Sequence, residues 1–170
     1  GIGVDEGRLR IEQTELTEEA GRIAAAAGRY QAARDLFERA ASAHAAAGRE
    51  RDAARLAGSI GHAQGRLGRH EEAITGMRAA LDVLGTDDRD PDVAAINCDL
   101  GRALLFTGHL DEAGAAIERA LGAAEALELP VLTCQALGLK AIHLEYVGRY
   151  EEARTLHDGA IAMGERHKVP

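Results

Sequence analysis

GRYEEA, residues 148–153, is the fourth of four related hexamers, after GRYQAA at Gly28, GRHEEA at Gly68 and GHLDEA at Gly108. Successive glycines stand 40 residues apart. The hexamer reads as a helix stop followed by a helix start. Glycine has no Cβ, so it closes a helix in the left-handed conformation at least cost. The acids behind it, Glu71 and Glu72, Asp111 and Glu112, Glu151 and Glu152, suit the positive end of a new helix dipole.

Reading outward from Gly68, ERDAARLAGSIGHAQGRL lies upstream and HEEAITGMRAALDVL downstream. Both carry apolar residues at spacings of three and four, as amphipathic helices do, so two helices flank each glycine. A helical hairpin repeated at a fixed period is the mark of a solenoid, because one such unit is too small to bury its own apolar face. Ala33, Ala73, Ala113 and Ala153 end the hexamers, and Ala40, Ala80, Ala120 and Ala160 follow seven residues later. Between them stand Phe37, Met77, Ile117 and His157. In the first helix of each unit Gly21, Gly61, Gly101 and Ala141 fall seven residues before the turn glycine. Small residues at these places let neighbouring helices approach closely.

These units resemble tetratricopeptide repeats. The family's 34-residue motif has a small residue at its eighth position, alanine at the twentieth and twenty-seventh, and a bulky apolar residue at the twenty-fourth. Gly61, Ala73, Met77 and Ala80 fill those places in one unit, and Gly101, Ala113, Ile117 and Ala120 in the next. The units run over 14–47, 54–87, 94–127 and 134–167, with 1–13 as an N-terminal extension that starts the first lengthened helix and 168–170 as a C-terminal tail. Six extra residues separate them: GRERDA, DRDPDV and ELPVLT. Pro91 and Pro130 are placed for the first turn of a helix, where a missing N–H costs little. The spacing is similar to the 40-residue form of the repeat in kinesin light chains, spindle-orientation adaptors and the sensor parts of bacterial regulators. The resemblance implies an all-α fold: an α-solenoid of four helix-turn-helix repeats, eight helices in antiparallel pairs, forming a right-handed superhelix.

Composition agrees with helix nearly everywhere. Ala, Leu, Glu and Arg dominate the 170 residues, with three prolines and five aromatic residues. Eighteen Arg against two Lys suggest a GC-rich bacterial genome, which favours the bacterial regulators. A net charge of −8, with basic residues interleaved among acids, argues against direct nucleic-acid binding. Cys98 and Cys134 have no CxxC spacing and read as reduced, small apolar residues in a cytoplasmic protein. No apolar run approaches the roughly 20 residues of a membrane span. GIGVDEGRLR lacks the apolar centre of a signal peptide, and a start at Gly1 reads as a trimmed piece of a longer protein.

Catalysis is not expected. The seven histidines form no HExxH pair and no zinc spacing with cysteine, so no metal or cofactor is implied. Adjacent acids such as Glu151 and Glu152 diverge by about 100° on a helix, and the dipole accounts for them. GxxxxGK[ST], GxSxG and GxGxxG are all missing.

Binding remains. In this family the first helices line a concave face, into which positions two, five, nine, twelve and thirteen look. Carried onto this chain, the resemblance gives a partner-binding groove of Arg22, Arg55, His62, Arg66, Arg102, Phe106, Ile142 and Tyr146. Glu15 and Glu18 would make its entrance acidic, the arginines its middle basic, and the aromatics its C-terminal end apolar. The carboxylate clamp for chaperone tails is not matched, since Glu18, Arg22 and Ser59 stand in key places. Two functions stay open: a scaffold taking a protein or peptide segment along the concave face, and a ligand- or peptide-sensing domain controlling an attached DNA-binding or ATP-binding domain. In the last unit Lys140 and His157 replace apolar residues, so either this unit is a cap or the array continues. Self-association through the repeat ends is expected with either function.

Overall fold

The computed structural model describes residues 2–85, 87 and 89–168, with side chains from Glu6 onward. Among these the regular structure is entirely helical: α1 Ile2–Ala26, α2 Tyr30–Ala46, α3 Glu50–Arg55, α4 Ala57–Arg66, α5 His70–Leu84, α6 Pro91–Phe106, α7 Leu110–Ala126, α8 Pro130–Tyr146 and α9 Tyr150–His167. The chain divides into two compact units, Gly1–Val83 and Leu84–Pro170. In the first, α1 packs on α2, and α2 on α3 and α4. In the second, each helix packs on its successor and α6 also meets α8, which is the pattern of one hairpin stacked on the next. Residues 169 and 170 of the expected tail lie outside the described residues.

One helix differs from expectation. The run from Glu50 to Arg66 is broken at Leu56 (φ −75°, ψ −10°), whose N–H reaches only back to the Ala53 carbonyl at 3.3 Å. Gly58, Gly61 and Gly65 make this the weakest helix former in the chain. Buried Leu56 joins Ala24, Ala33, Phe37 and Ala40 in the core. Tertiary packing at Leu56 therefore sets the path of the backbone over a segment with little helical preference of its own.

The turn glycines do what their spacing predicts. Gly28, Gly68, Gly108 and Gly148 have φ of 71°, 76°, 79° and 82°. At Gly108 the N–H donates to the Leu105 carbonyl at 3.2 Å and the next N–H, His109, to Leu104 at 2.9 Å. The same pair of bonds closes the helix before Gly28, Gly68 and Gly148. This is a Schellman closure, which satisfies carbonyls left over at the helix end. The hexamer's acids have a second use as well. The arginine after the glycine bonds the acid three residues on, Arg69 Nε to Glu72 at 2.8 Å and Arg149 Nε to Glu152 at 2.7 Å.

Left-handed residues also follow the second helices of the hairpins: Gly48 at 71°, Gly85 at 85°, Glu128 at 54° and Lys168 at 53°. Only two of the four are glycine, and Gly85 lies off the 40-residue spacing of the others, so no letter pattern marks the series. A β-carbon in this conformation costs roughly 1–2 kcal/mol. Glu128→Gly is therefore expected to stabilise the protein, by about 0.5–1 kcal/mol once the entropy of a freer unfolded chain is subtracted. Urea denaturation would show this as a higher midpoint at unchanged slope.

The small-against-bulky pattern is the packing itself. Ala33, Ala73, Ala113 and Ala153 are buried. A β-carbon on Gly21 would lie 2.7 Å from the Phe37 ring, on Gly61 2.9 Å from Met77 Sδ, and on Gly101 2.6 Å from Ile117 Cγ1. In the first three repeats the eighth position of the first helix thus receives the twenty-fourth of its partner. Pro91 and Pro130 begin α6 and α8 as predicted, and Asp90 caps α6 by accepting from the Asp92 N–H at 2.8 Å.

Candidate interaction surfaces

The expected groove residues fall into two sets, one in each unit. In the first, Arg22 on α1 is exposed and paired with Glu19 at 2.8 Å. His62 and Arg66 on α4 are exposed and gather at Tyr30, the first residue of α2. The Arg66 guanidinium carbon stands 5.1 Å from the Tyr30 ring centroid, and the His62 ring meets Tyr30 edge-on at 6.3 Å. A cation over an aromatic face is held by the ring quadrupole, which fixes Arg66 in place. Tyr30 belongs to this patch but was not among the expected groove residues; it belongs to the GRY hexamer, whose reading stopped at the helix start.

Arg55 has a different role. Its guanidinium donates to both Glu18 oxygens at 2.8 Å, and His44 Nε2 lies 2.5 Å from Glu18 Oε1. Glu18 is 2% exposed and His44 3%, so the expected acidic entrance at Glu18 is a buried, neutralised cluster tying α1, α2 and α3 together. Burial raises the Glu18 carboxyl, but hydrogen bonds from His44 and Arg55 outweigh it and hold the pKa below its ordinary value. The acceptor at Nε2 assigns the His44 proton there. Nδ1 is buried without a hydrogen-bond partner. Gly58 and Cys98, the fifth-position residues of the next two repeats, are buried too, and line no groove.

In the second unit, Arg102 on α6 is paired with Asp99. Phe106 at the end of α6 is 67% exposed, and Tyr146 and Ile142 on α8 are 60% and 36% exposed. Two of the five aromatic residues in the chain thus stand in water on two helices that pack on one another. Lys140 and His157, the polar departures of the last repeat, pair with Glu118 at 2.8 Å and Glu145 at 3.3 Å.

Cys98 is buried, and that burial, with Asp99 beside it, pushes its thiol up to about 12. Cys134 is half-buried. One thiol, Cys134, is expected to react with an aromatic disulfide reagent at neutral pH, and the second only after unfolding. Two fast equivalents in the native protein would contradict that burial.

Among the described residues no three His, Cys, Asp or Glu side chains come together as a metal site. No described helix is long and apolar enough to cross a membrane.

Residues 94–127 match the family model of the tetratricopeptide repeat. No curated protein matches the sequence. Solved structures do share the fold. BtubC (BKLC) from P. vanneervenii is 20% identical with a TM-score of 0.74, over 91% of this chain and 64% of that one. A putative kinesin light chain of Podosopora anserina, with nearly identical TPR-like repeats, is 19% identical at 0.69, over 91% and 76%. A thermophilic TPR protein of Thermus thermophilus is 20% identical at 0.53, over 89% and 92%. This chain thus spans just under two thirds of the BtubC structure. Residues 94–127 thus carry a tetratricopeptide repeat, in the third of four hairpins set in one 40-residue register, and the chain shares the helical solenoid fold of these structures. Such repeats are in general protein–protein interaction modules, on a scaffold that is typically non-enzymatic.

Proposed function

We propose that the chain is a scaffold that binds a segment of another polypeptide through the first helices of its hairpins, as part of a larger bacterial regulatory protein. The observation that carries this reading is the exposure of Phe106, Tyr146 and Ile142 on α6 and α8. Large apolar side chains left in water on neighbouring helices are what an interface uses as anchors. Beside this patch Arg102 of α6 supplies a polar group, and Arg22, His62 and Arg66 are the polar candidates of the first unit by itself.

The ion pairs change the weight given to each group. Arg22, Arg55 and Arg102 already face Glu19, Glu18 and Asp99, so they add little net positive potential. Arg66, held over Tyr30, is the strongest charged candidate. A partner segment should therefore be chosen by its apolar side chains for the α6–α8 patch, with acids serving orientation. To test the reading, a photo-crosslinking amino acid replaces Tyr146 in one preparation and Glu125, on α7, in another. A partner polypeptide labelled from Tyr146 alone supports the first-helix surface, and equal labelling from both sites overturns it.

A further inference from the structure

In the 40-residue register Pro91 and Pro130, which open α6 and α8, fall on Ile11 and Arg10, so α1 starts eight or nine residues earlier than its counterparts. Between residues 7–17 of α1 and the last turns of α2 lies a cleft of about 640 Å³. Its floor is alanine from α2, and Ile11 stands at one side. Arg10, Arg39 and Arg49 border it, with no Asp or Glu among the lining residues. Arg10 reaches Glu6 at 3.9 Å. Neither Arg39 nor Arg49 has an ion-pair partner among the described residues, and Arg49 Nε is buried without a hydrogen bond.

This arginine-rimmed cleft lies in the less acidic half of the chain. The first unit holds 12 Arg against 13 acids, a net −1, and the second 8 basic residues against 15 acids, a net −7. The second unit also offers a surface of matching form. On α9, Asp158, Ile161 and Glu165 are spaced three and four residues apart, which places a carboxylate, an apolar side chain and a carboxylate on one helix face. Ile161 is 62% exposed, and Asp158 and Glu165 are exposed with no ion-pair partner among the described residues. Arg154, a turn earlier on that face, is neutralised by Glu151 at 2.6 Å.

We propose that the α1–α2 cleft of one copy receives the α9 face of a second copy. Ile161 seats on the alanine floor beside Ile11, and the two carboxylates meet Arg39 and Arg49. The contact is heterologous, so it builds open chains or rings. None of its residues belongs to the polypeptide-binding patches, and failure of either reading leaves the other standing.

The test is sedimentation of the whole chain over a wide concentration range, at low and high salt. Wild type is expected to associate beyond the monomer, less so at high salt. Arg39→Glu with Arg49→Glu, and separately Asp158→Lys with Glu165→Lys, should each weaken association about tenfold or more. A mixture of the two variants brings an acidic cleft to a basic α9 face and should restore association. Circular dichroism checks each fold, and Arg39→Gln and Asp158→Asn replace a pair that unfolds. A wild type that stays monomeric overturns the proposal, as does association unchanged by the variants or not restored in the mixture. A monomer whose cleft binds polyglutamate through Arg39 would also overturn it, by assigning the cleft to a different acidic partner.

Discussion

Gly101→Val is expected to destabilise the protein by about 2–3 kcal/mol, enough to lower the melting temperature by several degrees in a domain of this size. A β-carbon at Gly101 lands 2.6 Å from Ile117 Cγ1, 3.4 Å from the Ile117 amide nitrogen and 3.5 Å from the Ala113 carbonyl. Ile117 is β-branched and confined in its helix, so it cannot swing aside, and backbone closes the other side. The gain in helix propensity over glycine offsets less than about 1 kcal/mol. Gly61→Ala is a useful contrast. Its clash is with the Met77 thioether, a flexible chain that can repack, so a loss below about 1 kcal/mol is expected there. Thermal melts of the two variants separate a rigid notch from an adaptable one. Equal stability of Gly101→Val and wild type would mean that α6 and α7 do not meet at Ile117.

Glu18→Ala is expected to cost about 3 kcal/mol, the lower end of the range for breaking a buried charge pair, because Arg55 remains part-exposed and can reach water. His44, buried behind it, loses its acceptor. The pH dependence has a definite sign. The folded carboxyl lies below its ordinary value, so its contribution is complete above the unfolded pKa of about 4.3 and is lost as pH falls through the folded one. Wild type should lose stability on acidification below that value, and Glu18→Gln should lose less over the same interval. Parallel curves for the two proteins would show that Glu18 is not the titrating group.

The parts of the fold legible in the sequence are those where geometry leaves few residue types to choose from. A left-handed helix stop favours glycine, and a helix contact as close as that of Gly101 with Ile117 excludes a side chain, so both recur as letters every 40 residues. Leu56 interrupts its helix because of what it packs on, and packing partners 16 to 32 residues away write no local pattern. Glu128 and Lys168 adopt the conformation of Gly48 without its identity, so the second turn series was not visible. Family positions indicated which helices carry the candidate surface, but gave no account of how its charges pair. Glu18, His44 and Arg55 come from three helices, and only folding shows that this carboxylate is buried against its partners. Exposure of Phe106 and Tyr146 followed from their place on the first helices, where the thirteenth position points away from the packed face.

The central claim, that α6 and α8 present the anchors for a polypeptide partner, is tested most directly by calorimetric titration of the partner crosslinked from Tyr146 into wild type and into the Phe106→Ala, Tyr146→Ala double variant. Both side chains are more than half exposed, so the fold should persist, as circular dichroism would show. The account predicts that the dissociation constant rises about tenfold or more, the size expected when buried aromatic anchors are removed from an interface. A dissociation constant within about twofold of wild type, in a folded double variant, would contradict it.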